Sequence, residues 1–266
     1  MGMTSPILVT GGTGTLGRRV LPLLMDAGCG LRVLSRNGHD SSEGIEYVTG
    51  DLRTDKGIEA AVEGVTTVVH CAGASKGDDV TTRTLVRAAS HAGVHHLVYI
   101  SVVGADRVPV VSRVDRMMFG YFASKLAAER VVAESGMAWT TLRATQFFDA
   151  FLKVAQQMTR LPVVPVAAGV HFQPVDTEEV AAQLVALALG APAGLVPDLA
   201  GPRISSMADL LRAYLRVRGR RRALVPVRFP GKAARAIRAG ANLAPDRAVG
   251  KRTWEDFLAE RSVVTA

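Results

Sequence analysis

"ILVTGGTGTLGRRVL", residues 7–21, is the stretch that decides the fold. Apolar and β-branched residues run straight into three glycines at 11, 14 and 17, and a helical pattern opens on the last of them. The reading is strand, tight turn, helix. Of Gly11, Gly14 and Gly17, one permits the turn, one lets backbone approach a pyrophosphate, and one lets helix and sheet pack closely. Thr13, Thr15 and Leu16 lie between them and are expected to complete a phosphate cradle. The G-K-[ST] ending of a P-loop is missing, so nucleotide hydrolysis has no supporting lysine.

Outward from this stretch, short β-branched runs alternate with longer helical patterns: "LRVLS" 31–35, "IEYVTG" 45–50, "TTVVHCA" 66–72, "HLVYIS" 96–101 and "WTTLRA" 139–144. Continuous apolar strands are expected where helices cover both faces of a sheet. The fold class is therefore α/β, a doubly wound parallel sheet of Rossmann type with a small C-terminal substrate-side lobe. A dinucleotide-binding region over 1–145 and a lobe over 146–266 are expected to pack as one compact domain. Helices are expected at 16–27, 55–63, 79–92, 121–135 and 177–189. The stretch "LPVVPVAAGVHFQPVD" (161–176) reads as a strand pair or loop closing the pocket, and "LVPVRFPGKAARA" (224–236) as a connection.

The 266 residues are 48% hydrophobic, enough for a full core. Only Cys29 and Cys71 occur, each in apolar surroundings, so neither a disulfide framework nor a Cys-rich metal site is indicated. His70, His95 and His96 lack partners at metal spacing, and no metal is expected. With no basic leader and no apolar run of membrane length, a cytoplasmic protein without a membrane span is expected. The oligomeric state is left open. Of the formal charge of +8, residues 212–252 carry a net +12 and the remainder −4. No nucleic-acid motif or interleaved aromatics accompany these cations, so nucleic acid is not an expected partner; the tail reads as a solvated helix face plus a loop.

The end of the second strand selects the dinucleotide. An NAD site places an acid there for the ribose 2′-hydroxyl, whereas this sequence has Ser35 and Arg36. A guanidinium pairs bidentately with a 2′-phosphate, so NADP(H) is favoured over NAD(H), with Arg18 adding charge on the same side.

"TGGTGTLG" at 10–17, "GDL" at 50–52, "HCAG" at 70–73, "YISVVGAD" at 99–106 and "YFASK" at 121–125 resemble the atypical and extended short-chain dehydrogenase/reductases, particularly the NmrA-like NAD(P)H-binding proteins. The resemblance spans about residues 5–190. It implies that Asp51 and Leu52 sit by the adenine, and that Cys71, Ala72 and Gly73 line the central part of the cofactor. It also implies hydride transfer to a small carbonyl, enone or quinone-like molecule. The alternative it carries is a non-catalytic, NADP(H)-sensing regulatory protein.

Tyr121 and Lys125 are four apart in an expected helix and so share a face, where the ammonium can stabilise a tyrosinate and reach a nicotinamide ribose. In related reductases such a tyrosine moves the substrate proton. The third member is a Ser or Thr near the end of the fifth strand. Ser101 stands there, either as a catalytic hydroxyl or as a structural one, and the position two residues on, where the extended branch has its hydroxyl, is Val103. Ser112 is a weaker substitute. Thr145, Gln146 and Phe147 follow the sixth strand and, with Val103, are the expected substrate contacts.

Overall fold

The computed structural model describes residues 5–41, 44–73 and 77–263. The chain folds in the order β1 (Ile7–Thr10), α1 (Gly17–Asp26), β2 (Leu31–Ser35), β3 (Ile45–Thr49), α2 (Ile58–Val62), β4 (Thr67–His70), α3 (Asp78–His91), β5 (His96–Val102), α4 (Arg113–Ala133) and β6 (Trp139–Ala144). It continues through α5 (Phe148–Met158), β7 (Val163–Ala167), β8 (His171–Phe172), α6 (Thr177–Leu189), β9 (Gly194–Leu195), β10 (Ser205–Ser206), α7 (Met207–Val217), β11 (Ala223–Val227), α8 (Lys232–Arg238), a 3-10 turn (Pro245–Arg247) and α9 (Trp254–Val263).

The seven-stranded parallel sheet has the order β3-β2-β1-β4-β5-β6-β9. This is the doubly wound arrangement, and its strand order reverses between β1 and β4. Loops leaving the carboxyl ends of those two strands part to opposite sides, which is where such sheets hold a ligand. β1 pairs Thr10 with His70 of β4 and Val9 with Val33 of β2, so the glycine loop and the segment after His70 leave the sheet side by side.

The chain divides into two compact units, one of residues 1–101, 124–142 and 180–196, the other of 102–123, 143–179 and 197–266. The first is built on the large sheet, with a core of Leu8, Leu34, Ile58, Leu85, Leu97 and Tyr99 among others. The second has an aromatic core in which the rings of Phe148, Phe151, Trp254 and Phe257 meet stacked, tilted or edge to face, with centroids between 5.1 and 5.7 Å apart.

Three local readings change. Helix α4 starts at Arg113 instead of Tyr121, because Ser112 and Asp115 cap it reciprocally: Asp115 N donates to Ser112 Oγ at 3.0 Å, and Ser112 N donates back to the carboxylate at 3.1 Å. Strands β7 and β8 do not pair with each other; β7 runs parallel to β11 and β8 antiparallel to β10. The expected connection over 224–236 contains most of β11 and the start of α8.

Candidate functional site

The glycine loop is shaped by contacts that exclude side chains. Gly11 has φ +69, and a Cβ there would lie 2.6 Å from Ala72 N; a Cβ on Gly17 would lie 2.2 Å from Gly11 O. Gly12, which the spacing did not single out, is constrained by a side chain instead of backbone, since its Cβ would meet Val33 Cγ1 at 2.7 Å. At Gly14 a Cβ would meet only Gly11 O, at 3.1 Å, and would otherwise project into open space. Helix α1 begins without a side-chain cap and without an acid in its first turn, which leaves its positive end for an anion. Open space over Gly14 and an uncapped helix start together fit a dinucleotide pyrophosphate. Thr13 is exposed, Thr15 half-buried and Leu16 buried.

Beside the cradle, Cys71, Ala72 and Gly73 continue from β4. Cys71 N donates to Thr10 O at 3.0 Å, and Ala72 N to Thr10 Oγ1 at 3.4 Å. Gly73 faces Lys125: a Cβ on it would stand 3.3 Å from Nζ. That ammonium is 3.0 Å from Asp78 Oδ2, donates to Tyr99 OH at 3.2 Å and to Ile100 O at 3.1 Å, and sits 4.8 Å from the Tyr99 ring centroid. Its side chain is 5% exposed and that of Asp78 2%. A cation buried so deeply persists only where carboxylate, hydroxyl and carbonyl together replace water. Asp78 is fixed in turn, its backbone N donating to Ser124 Oγ at 3.0 Å.

The same cation acts on its neighbours. His70 is buried between two threonines, with Thr10 Oγ1 2.6 Å from Nδ1 and Thr82 Oγ1 3.1 Å from Nε2. Burial, reinforced by Lys125, lowers its pKa to about 3, so it is a neutral structural imidazole. Burial pushes the Cys71 thiol up to about 12 against the opposing pull of Lys125, which leaves it unreactive.

Ser101, next along β5 from the carbonyl that holds Lys125, is 4% exposed, and its Oγ has no hydrogen-bond partner among the described residues. A buried hydroxyl left in this way is costly unless a bound group completes it. Tyr121 lies one turn before Lys125 in α4 and is 40% exposed, its ring 6.0 Å from that of Phe122. Ser112 is the cap of α4.

At the end of β2, Ser35 is buried, with its Oγ accepting from Asn37 N at 3.3 Å, and Arg36 is exposed. After β3, Asp51 is half-buried and accepts from Arg53 N at 2.9 Å, while Leu52 belongs to the core.

In the second unit, Val103 is fully buried with Ala200 and Ala244. Thr145 is also buried, its Oγ1 accepting from Gly201 N at 3.3 Å. Gln146 Oε1 accepts from Gln173 N at 3.3 Å, and Phe147, half-buried, precedes α5. Asp78 and Tyr99 are the members of the Lys125 cluster that sequence reasoning missed. Asp78 was legible only as an acid at a helix start, and Tyr99 only as a strand aromatic. Among the described residues no cluster of His, Cys, Asp and Glu could hold a metal, and no helix is long and apolar enough to cross a membrane.

A glycine cradle at the switch point of a seven-stranded parallel sheet defines an NAD(P)-binding α/β protein, and residues 11–189 match the NAD(P)H-binding family. The chain belongs to that family. It is 30% identical over 230 residues to an NAD(P)H azoreductase of Xenophilus azovorans, covering 84% of this chain and 76% of that one. It is also 30% identical, over 229 residues, to a (4-alkanoyl-5-oxo-2,5-dihydrofuran-3-yl)methyl phosphate reductase of Streptomyces griseus, with the same shares covered. The fold matches that of the Escherichia coli NADPH-dependent quinone oxidoreductase QOR2 complexed with NADPH, with a TM-score of 0.80 at 19% identity over 96% of this chain and 99% of that one.

Proposed function

We propose that the protein is an NADPH-dependent oxidoreductase that reduces a small carbonyl, enone or quinone-like molecule. The observation that carries this reading is Lys125, a charged group kept out of water by Asp78, Tyr99 and Ile100 O and aimed at the segment Cys71–Gly73 beside the glycine cradle. A structural lysine gains nothing from such burial that a leucine would not supply; a lysine that must meet a bound ribose and bias a neighbouring phenol does. The named activities of the curated relatives, an azoreductase and a furanone phosphate reductase, support the same reaction class.

In this reading Gly11, Gly12, Gly14 and Gly17, with Thr13, Thr15 and Leu16, hold the pyrophosphate. Arg36 and Ser35 take the 2′-phosphate, and Asp51 and Leu52 border the adenine. Bound NADPH supplies the hydride. Tyr121 donates its phenolic proton to the substrate oxygen, and the cation one turn along α4 favours the phenolate left behind. Ser101 completes its orphaned hydroxyl by donating to the same oxygen, in the role that Val103 cannot fill. Thr145, Gln146 and Phe147 border the substrate.

The test is a screen of quinones, enones and ketones for NADPH oxidation, followed by Tyr121→Phe. Turnover should fall by about two to four orders of magnitude with NADPH affinity nearly intact. Wild-type turnover in Tyr121→Phe would remove the acid assignment. The sealed burial of Val103 favours one second reading, an NADP(H)-sensing protein without catalysis, which takes the lead if NADPH binds and no substrate is found.

A further inference from the structure

The basic segment of the second unit has a geometry that its charge count does not convey. In the parallel pair β7/β11, register partners share a face. Val164 and Leu224 are one such pair, and both turn inward to the aromatic core. The intervening pairs face outward: Val163 opposite Ala223, and Pro165 opposite Val225, with Val163 50% and Val225 45% exposed. Two loops feed the same end of this small sheet, 159–162 into β7 and 218–222 into β11, and Arg222 Nε ties them by donating to Thr159 O at 3.1 Å. From these loops project Leu161, 50% exposed, and the exposed Arg160, Arg220 and Arg221. No acidic residue occurs in 159–167 or 212–245, and these three arginines form no ion pair among the described residues.

We infer that this face docks on an anionic lipid bilayer, the arginines pairing with headgroup phosphates and carboxylates while Leu161, Val163 and Val225 enter the interfacial layer. Guanidiniums without counter-ions, set around protruding aliphatic side chains, are complementary to a surface that is negative outside and apolar just beneath. A protein strand is a poor occupant, because Pro165 and Pro226 remove N–H donors from both strands and blunt the edges against strand addition. A nucleic acid would match the arginines, but no exposed aromatic stands on this face to stack a base.

The experiment is co-sedimentation of the full chain with phosphatidylcholine vesicles, with and without phosphatidylserine, at physiological ionic strength. Binding is expected only with phosphatidylserine. Each arginine contributes about fivefold, so replacing Arg160, Arg220 and Arg221 by Ser should weaken binding about a hundredfold. Val163→Ser with Val225→Ser should weaken it several-fold at unchanged charge, and both variants should keep wild-type NADPH affinity, which verifies folding. Absence of vesicle binding would overturn the proposal. Loss through the arginines alone, with the valines silent and RNA bound as tightly as vesicles, would overturn it in favour of a polyanion site.

Discussion

Lys125 and the arginines around β7/β11 handle positive charge in opposite ways. The ammonium of Lys125 is buried, and carboxylate, phenol and carbonyl replace its water. Arg160, Arg220 and Arg221 stay in solvent, where a guanidinium needs no partner and costs little. A buried cation is therefore specific residue by residue, whereas an exposed basic surface acquires meaning only through the set and its surroundings. The two regions should respond to mutation on different scales.

The largest expected effect is at Asp78. Removing its carboxylate leaves the ammonium buried and uncompensated, so Asp78→Ala should lower unfolding free energy by about 3–5 kcal/mol in urea denaturation, against at most about 0.5 kcal/mol for Arg221→Ala. Similar costs for the two would erase the contrast. Next is Val103→Ser, which places a hydroxyl against the buried Ala200 and Ala244 and should cost about 1–3 kcal/mol with no gain in activity. A variant of unchanged stability and higher turnover would mean that the site opens there.

His70 sharpens the comparison through pH. Its folded pKa, about 3, lies below the ordinary 6.5, so the unfolded chain takes up a proton that the folded chain refuses. The stabilisation from neutral His70 is complete above pH 6.5 and is lost as pH falls towards 3, at about 1.4 kcal/mol per pH unit. His70→Asn should flatten the slope of stability against pH between roughly 6 and 4.5; an unchanged slope would place the acid sensitivity elsewhere. Smallest is Arg36, where a preference for NADPH over NADH of about tenfold, or 1.4 kcal/mol, should largely vanish in Arg36→Ala, as calorimetry at fixed ionic strength would read. Equal affinities in the wild type would remove the 2′-phosphate assignment.

What the sequence made legible follows the same division. Gly11, Gly14 and Gly17 could be read because a strand, three glycines and a helix are contiguous, and the spacing of Tyr121 and Lys125 because four residues make one helical turn. The partners of Lys125 could not, since Asp78 of α3 and Tyr99 of β5 reach it only once the chain has folded. Gly12 was hidden because its constraint is Val33, a residue of the neighbouring strand. The early start of α4 carried a readable signal, Ser112 followed three residues later by Asp115. β11 did not: its Pro226 and flanking arginines resemble a connection, and only pairing with β7 reveals a strand, of which Leu224 alone packs on the aromatic core.

The central claim is that one buried ammonium serves the cofactor while Tyr121 serves the chemistry. Calorimetric titration of NADPH into the wild type, Tyr121→Phe and Lys125→Met tests it most directly. Tyr121→Phe should bind within about threefold of the wild type and Lys125→Met at least about tenfold more weakly. Wild-type affinity in a folded Lys125→Met would contradict the account.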